Sequence, residues 1–159
     1  MMERDPRLRS ELAAFLVRAK RATNAATASA PDAAASRPGA RDLRYEEAEG
    51  GWSYLVSDLG GPRFAGQEVV WKDGAPVWAM NYCGMVTGEG FDSGFRREAL
   101  RAVPEDAPYR GPIEYQRDDM LYVNNYAGEL PWFFGREEIY RKGVSIYTCM
   151  YHGGAVEEA

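Results

Sequence analysis

Two stretches of this chain match each other closely enough to constrain its architecture. Residues 64–85 align with residues 133–154 without a gap, and six of the 22 positions are identical. The identical pairs are Phe64/Phe133, Gly66/Gly135, Glu68/Glu137, Gly74/Gly143, Tyr82/Tyr151 and Gly84/Gly153. Average composition would give about one or two such matches by chance. We therefore expect an internal duplication, and because two repeats are too few for a solenoid, they should form one pseudo-two-fold body.

Each repeat reads as a helix followed by four short strands that are separated by glycine-containing turns. The strands are predicted at 43–47, 52–59, 66–72 and 76–83, and again at 113–117, 120–127, 134–141 and 144–151. Asp5 and Pro6 are typical of a helix start, and an apolar stripe from Leu8 to Ala19 follows them. A second helix is predicted at 92–103, before Pro104. The predicted fold class is α+β, with two helix-plus-antiparallel-meander repeats (α-ββββ-α-ββββ).

Length and composition favour one domain over residues 1–159, with repeats at about 5–86 and 92–156. An Ala/Ser/Pro-rich segment at 22–40 has no bulky apolar residue, which predicts a flexible connector. The net charge of -5 argues against nucleic acid or an anionic membrane as a partner. Charges near the N-terminus argue against a secretory signal. We expect a cytoplasmic protein in which Cys83 and Cys149 are reduced.

The Asp73-Gly74 turn predicts which side chains share a sheet face. Counting outward from a two-residue turn places Val70 opposite Val77, so that Glu68 and Glu137 lie among aliphatic residues and the aromatic residues gather on the opposite face. A desolvated carboxylate must be protonated, hydrogen-bonded or paired, so each glutamate is either a recognition group or a strand-end residue in water. We expect both sheet faces to be covered. The candidate ligand-binding residues are Glu68, Trp71, Trp78, Tyr82, Glu137, Tyr140, Tyr147, Tyr151 and His152.

Cys83 and His152 are the one pair that suggests catalysis, as nucleophile and base of a small hydrolase or transferase. Nothing in the sequence supplies a third, orienting group, so we assign no catalytic residue. Cys149-x-x-His152 is not expected to bind metal, because residues three apart on a strand point to opposite faces. We expect neither a metal site nor a cofactor.

Six motifs along the chain are long enough to be specific. They are Ser36-Arg37-Pro38-Gly39, Asp42-Leu43-x-Tyr45, Gly60-Gly61-x-x-Phe64-x-Gly66-x-Glu68, Val70-Trp71-x-x-Gly74-x-Pro76-Val77-Trp78-x-Met80-Asn81-Tyr82, Tyr109-Arg110-Gly111-Pro112 and His152-Gly153-Gly154. Together they resemble a bacterial and archaeal family, domain of unknown function 5680, over about residues 12–156.

The resemblance implies no established activity. It implies that members occur alone or behind a helix-turn-helix DNA-binding domain, and we expect this chain to be the stand-alone form. It also implies that the position of Cys83 varies among relatives, whereas the closing His-Gly-Gly is usual.

The function that these observations favour is a non-catalytic small-molecule-binding or sensory domain, with an aromatic site between the two repeats. Its ligand would be small, and either polar or a cationic aromatic molecule. One alternative is a protein-protein interaction module that uses the aromatic sheet face, and a homodimer is an arrangement that the sequence leaves open. The hydrolase or transferase described above is the other alternative.

Overall fold

The computed structural model describes residue 2 and residues 5–25 and 35–159. Within these residues the elements are α1 (Pro6–Ala25), β1 (Arg41–Glu46), β2 (Trp52–Gly60), β3 (Arg63–Lys72), β4 (Ala75–Val86), α2 (Ser93–Arg101), β5 (Glu114–Arg117), β6 (Met120–Glu129), β7 (Trp132–Arg141) and β8 (Val144–Ala155). The predicted order of helices and strands is confirmed, and so is the α+β class. Neither described helix combines the length and apolar character that a membrane crossing needs.

Helix α1 begins as predicted and ends later than predicted. The Asp5 carboxylate accepts hydrogen bonds from the backbone amides of Arg7 and Leu8, which satisfies two donors of the first turn. The helix continues to Ala25, and in this last part Thr23 is buried and its hydroxyl donates to the Ala19 carbonyl. Residues 22–25 of the expected connector are therefore helical. Residues 26–34 lie outside the described residues.

All eight strands form one antiparallel sheet in the order β1-β2-β3-β4-β8-β7-β6-β5. The last strand of each half therefore lies at the centre, where Tyr82 of β4 pairs with Tyr151 of β8. Both helices pack on one side of the sheet, which we call the inner face. Its buried residues include Trp78, Met80, Tyr82, Glu137, Tyr147 and Tyr151. The opposite side is the outer face.

A β-bulge in each long hairpin corrects the predicted register. Val70 pairs with Trp78 rather than with Val77, because the register shifts by one residue between Val70 and Trp71. A second shift follows Ile139. One extra residue in a strand reverses the faces of the residues beyond it. The glutamates therefore share the inner face with Trp78, Tyr82, Tyr147 and Tyr151, and the predicted separation of aliphatic and aromatic faces is wrong.

The outer face is open, contrary to the expectation that both faces would be covered. Trp132, Phe134 and Met150 are 78%, 59% and 65% exposed on it. The two helices are too few to cover both sides of an eight-stranded sheet, and both lie on the inner side. The hydrophobic core is therefore a single layer between the helices and the inner face.

Candidate functional site

A cavity of about 150 Å³ lies between the inner face and the two helices. Helix α1 and strands β1 to β4 form most of its wall, while α2 and the loop after α2 close it from the second half of the chain. Exposed Gly60 and Gly61 lie at its rim. The charged residues that line it are Lys20, Arg41, Asp58, Glu68, Arg96, Arg97 and Arg110. The cavity is therefore a polar space at the junction of the two halves.

Glu68 in β3 contributes an incompletely satisfied carboxylate to this cavity. Its side chain is 3% exposed, and Oε1 accepts hydrogen bonds from Lys20 Nζ at 2.7 Å and from the Tyr54 hydroxyl. Oε2 is buried, and no described residue donates a hydrogen bond to it. A buried acceptor without a donor costs free energy, commonly about 1–3 kcal/mol. Glu68 thus lines the cavity and has one carboxylate oxygen that no described residue satisfies.

Lys20 is held in place by three contacts. Its ammonium also donates to the Tyr109 carbonyl at 2.8 Å and lies 5.4 Å from the centroid of the Trp78 ring. Burial lowers the pKa of Lys20, although the charge of Glu68 acts in the opposite direction. These contacts hold the ammonium in place, and none of them reaches the second oxygen of Glu68.

Asp58 and Tyr82 form a second polar pair in the cavity. The Tyr82 hydroxyl donates to Asp58 Oδ1, and the Arg110 guanidinium lies 4.8 Å from the centroid of the Tyr82 ring. Burial raises the pKa of Asp58, and the negative charge of Glu68 raises it further, while Arg110 lowers it. Asp58 and Glu68 thus both line the cavity.

Arg96 in α2 brings a cation that has no carboxylate partner among the described residues. Its guanidinium lies 5.4 Å from the centroid of Phe64, 5.5 Å from that of Phe91 and 5.7 Å from that of Tyr147. Stacking on aromatic faces is a contact that arginine makes readily. These rings orient the side chain, and no described residue accepts a hydrogen bond from its guanidinium.

Glu137, the counterpart of Glu68 in the aligned segments, does not line the cavity. It is 0% exposed, and both of its oxygens are satisfied by Arg110, Tyr122 and Tyr147. Burial by itself raises the pKa of Glu137, but the charge of Arg110 and these hydrogen bonds outweigh burial, so that the pKa is lowered. Glu137 anchors Arg110, which reaches the cavity wall.

Of the nine predicted ligand-binding residues, the cavity brings together Glu68 and Tyr82. Trp78 is buried, and its indole N–H donates to the Leu130 carbonyl, while Tyr151 is buried with its hydroxyl on Asn124. Glu137 and Tyr147 form the neighbouring network described above. The remaining three lie on the outer face; they are Trp71, Tyr140 and His152.

Four charged residues that line the cavity were not among the predicted ligand-binding residues: Lys20, Asp58, Arg96 and Arg110. Lys20 follows Leu16 by four residues and therefore lies on the apolar stripe of α1. A lysine on such a stripe indicates a buried charge that needs a partner, so this residue could have been predicted from the sequence. Arg110 belongs to a motif already quoted as specific. The other two carried no local signal, because their position depends on the packing of distant elements.

Cys83 and His152 lie on the outer face in adjacent strands. Cys83 pairs with Met150, and His152 pairs with Asn81, so the two are diagonal neighbours. No hydrogen bond joins them. Cys149 is buried on the inner face. It lies three positions before His152, and residues three apart on a strand point to opposite faces. Among the described residues, no group of three or more His, Cys, Asp or Glu side chains could hold a metal ion.

Comparison with known proteins gives one match. The family model described as "Domain of unknown function (DUF5680)" matches residues 57–156. The matched region begins in β2 and includes the strands that carry Asp58, Glu68 and Tyr82, as well as all of α2. No curated protein and no solved structure matches the chain.

Proposed function

The chain belongs to the DUF5680 family, and we propose that its domain binds a small polar molecule, without catalysis, in the cavity between the helices and the inner face. The observation that carries this proposal concerns Glu68, which lines the cavity and whose buried Oε2 receives no hydrogen bond from the described residues. Buried polar groups in folded proteins are almost always satisfied. A bound ligand that donates a hydrogen bond would complete the hydrogen bonding of the Glu68 carboxylate.

We also propose that the chain arose by internal duplication and that a later difference between the halves left one glutamate less well satisfied than the other. In both halves a tyrosine on the neighbouring strand donates to the glutamate, Tyr54 to Glu68 and Tyr122 to Glu137. In the second half Tyr147 supplies a further donor. Trp78 occupies the equivalent position in the first half, and its indole N–H is directed to Leu130 instead.

The β4–β8 pairing supports the duplication. The aligned segments are related by a shift of 69 positions, and under that shift Tyr82 and Tyr151 are each other's equivalents and also direct partners. An axis through this pair would relate the halves. Because the cavity takes residues from both halves, a ligand would link them, and we extend the proposal to a sensory role.

A thermal-shift screen of the full chain against small polar metabolites, followed by isothermal titration of the hits, tests the binding proposal. The decisive comparison is Tyr82→Phe with Tyr151→Phe. Both variants remove one hydroxyl from a central strand, but only Tyr82 lines the cavity. We expect Tyr82→Phe and Glu68→Gln to weaken binding and Tyr151→Phe to leave it unchanged. A screen without hits, or hits indifferent to both cavity variants, would contradict the proposal.

A second candidate function is self-association through the outer face. Trp132, Phe134 and Met150 are large apolar side chains that remain more than half exposed on this face. Exposed apolar patches commonly mark interaction sites. Light scattering over a range of protein concentrations tests this candidate. We expect a dimer for the unchanged chain and a monomer for the double variant Trp132→Ser and Phe134→Ser. A concentration-independent monomer would argue against this candidate.

A further inference from the structure

We infer that the ligand of this cavity carries a phosphate group, which binds among Arg41, Arg96 and Arg97. This inference rests on the proposed function and names the ligand class. It follows from three properties of the cavity. These are its excess of positive charge, its arginine side chains without an ion-pair partner among the described residues, and its opening to solvent.

The cavity is lined by more positive than negative side chains, although the chain as a whole carries a net charge of -5. Five cations line it, against the two carboxylates of Asp58 and Glu68. A third carboxylate, that of Glu137, pairs with Arg110 from behind the cavity wall. With all three carboxylates counted as charged, two positive charges remain in excess. A phosphate monoester carries about -1.5 to -2 charges at neutral pH, which matches this excess.

Three of the five cations form no ion pair with a described residue. Lys20 is paired with Glu68, and Arg110 with Glu137. The cations that are left are Arg41, Arg96 and Arg97. The guanidinium of Arg96 is held by aromatic rings, and no described residue accepts a hydrogen bond from it. A side chain that is already held in place loses less entropy when it binds an anion.

The charges of these arginines act on one volume. Burial raises the pKa of Asp58, whereas the charges of Arg110, Arg96 and Arg41 lower it. Arg41 lies on β1 as the strand partner of Asp58, and Arg96 and Arg97 lie on α2. An anion between them would therefore contact both the sheet and the helix. Guanidinium groups form paired hydrogen bonds with phosphate oxygens, so arginines from two sides suit this group.

The cavity opens to solvent beside Arg41. Exposed Gly60 and Gly61 form this rim, and the Gly60 carbonyl accepts a hydrogen bond from Arg41 at 2.9 Å. The rest of a phosphate ester can therefore extend into solvent while its phosphate group lies among the arginines. A cleft lined by charges of one sign also raises the local concentration of ions of the opposite sign.

Isothermal titration of the full chain at pH 8 with inorganic phosphate and with glycerol 3-phosphate tests this inference. Phosphate is mostly a dianion at this pH. Acetate, with one negative charge, and glycerol, with none, are the matched probes. We expect at least one phosphate probe to bind about tenfold more tightly than acetate, because it offers more charge and more acceptors to the arginines. Tighter binding of the ester would identify an organic phosphate, and equal binding would identify free phosphate.

Arginine variants locate the bound phosphate. Arg96→Met and Arg41→Met should each weaken its binding by about tenfold. Arg101→Met and Arg44→Met are the matched controls, because these arginines are exposed on the same helix and the same strand and do not line the cavity. Two cavity variants on different elements keep the test valid if one of them fails to fold.

Asp58→Asn should act in the opposite direction. Its carboxylate lines the cavity and repels an anion, so its removal should tighten phosphate binding by about fivefold. Damage to the fold would weaken binding instead, so the direction of the change separates an electrostatic effect from a structural one. Weaker binding to an Asp58→Asn variant of unchanged thermal stability would contradict the inference.

The outcomes separate this inference from the function on which it rests. If neither phosphate probe binds more tightly than acetate, or if the cavity variants bind phosphate as well as their controls do, the inference is overturned. A neutral molecule that binds in a Tyr82-dependent manner would then leave the proposed function standing. If no small molecule binds at all, both proposals are overturned.

Discussion

Tyr82 and Tyr151 lie directly opposite each other on the two central strands, yet their hydroxyl groups end in different surroundings. The Tyr82 hydroxyl donates to the Asp58 carboxylate beside the cavity, whereas the Tyr151 hydroxyl donates to the buried Asn124 amide at 2.7 Å. Rings at aligned positions therefore lie beside a polar cavity in the first case and in a closed core in the second. This asymmetry underlies the comparisons proposed above.

Gly66 is predicted to be required by the Tyr82 ring that lies over it. A Cβ atom at this position would lie closer to the Tyr82 ring than atoms can approach, and 2.6 Å from Asp58 Oδ1. Overpacking of this kind costs about 1–3 kcal/mol, so Gly66→Ala should lower the free energy of unfolding by that amount in urea titrations.

The control for Gly66→Ala is Gly61→Ala, where an added Cβ meets open space and φ is not positive. We expect Gly61→Ala to change stability by less than about 0.5 kcal/mol. In a Tyr82→Ala background the penalty of Gly66→Ala should shrink. Equal stabilities of the two alanine variants would show that the ring does not constrain Gly66.

Glu137→Gln is predicted to be strongly destabilising. Glu137 is fully buried and pairs with Arg110 at 2.5 Å, so the substitution leaves a buried guanidinium without its counter-charge. Removing one partner of a buried pair costs about 3–5 kcal/mol. Glu11→Gln, which breaks the exposed pair with Arg7, should cost less than about 1 kcal/mol. Chemical denaturation of both variants measures the difference, and similar losses would refute the structural role of Glu137.

Stability is predicted to fall on acidification because of Glu137. Its folded-state pKa lies below the ordinary value of 4.5, so the unfolded chain binds the proton more readily than the folded chain does. The stabilisation is therefore complete above the unfolded pKa and is lost as the pH falls through the folded one. Urea denaturation between pH 7 and pH 3 should show this decline. Glu137→Gln should show a shallower decline, and an unchanged slope would contradict the assignment.

The two cysteines should react with thiol reagents at very different rates. Cys83 is exposed on the outer face, whereas Cys149 is buried on the inner face, where burial and the charge of Glu137 raise its thiol pKa to about 12. Because the thiolate is the reactive species, a colorimetric thiol assay at pH 8 should titrate one group in the folded chain and two in denaturant. In Cys83→Ser the folded chain should titrate none, and rapid reaction of Cys149 would show that its strand is not packed as described.

Local features of the sequence predicted the elements of this fold. The Asp73-Gly74 turn, the Asp5 cap and the alternation of apolar residues depend on neighbours within a few positions, so they act in the same way in any tertiary context. The family motifs were equally readable. Internal duplication stays a prediction, although the symmetric order of the sheet agrees with it.

Only the tertiary structure decided which residues form the site. One extra residue in each long hairpin places Trp78 and Tyr147 on the inner face, together with the two glutamates. The residues of the turn do not predict such a bulge. The contacts of Glu68 with Lys20 and of Glu137 with Arg110 join residues 48 and 27 positions apart. Such pairs form because burial of a charge demands a partner, and no local pattern in a sequence specifies which distant residue supplies it.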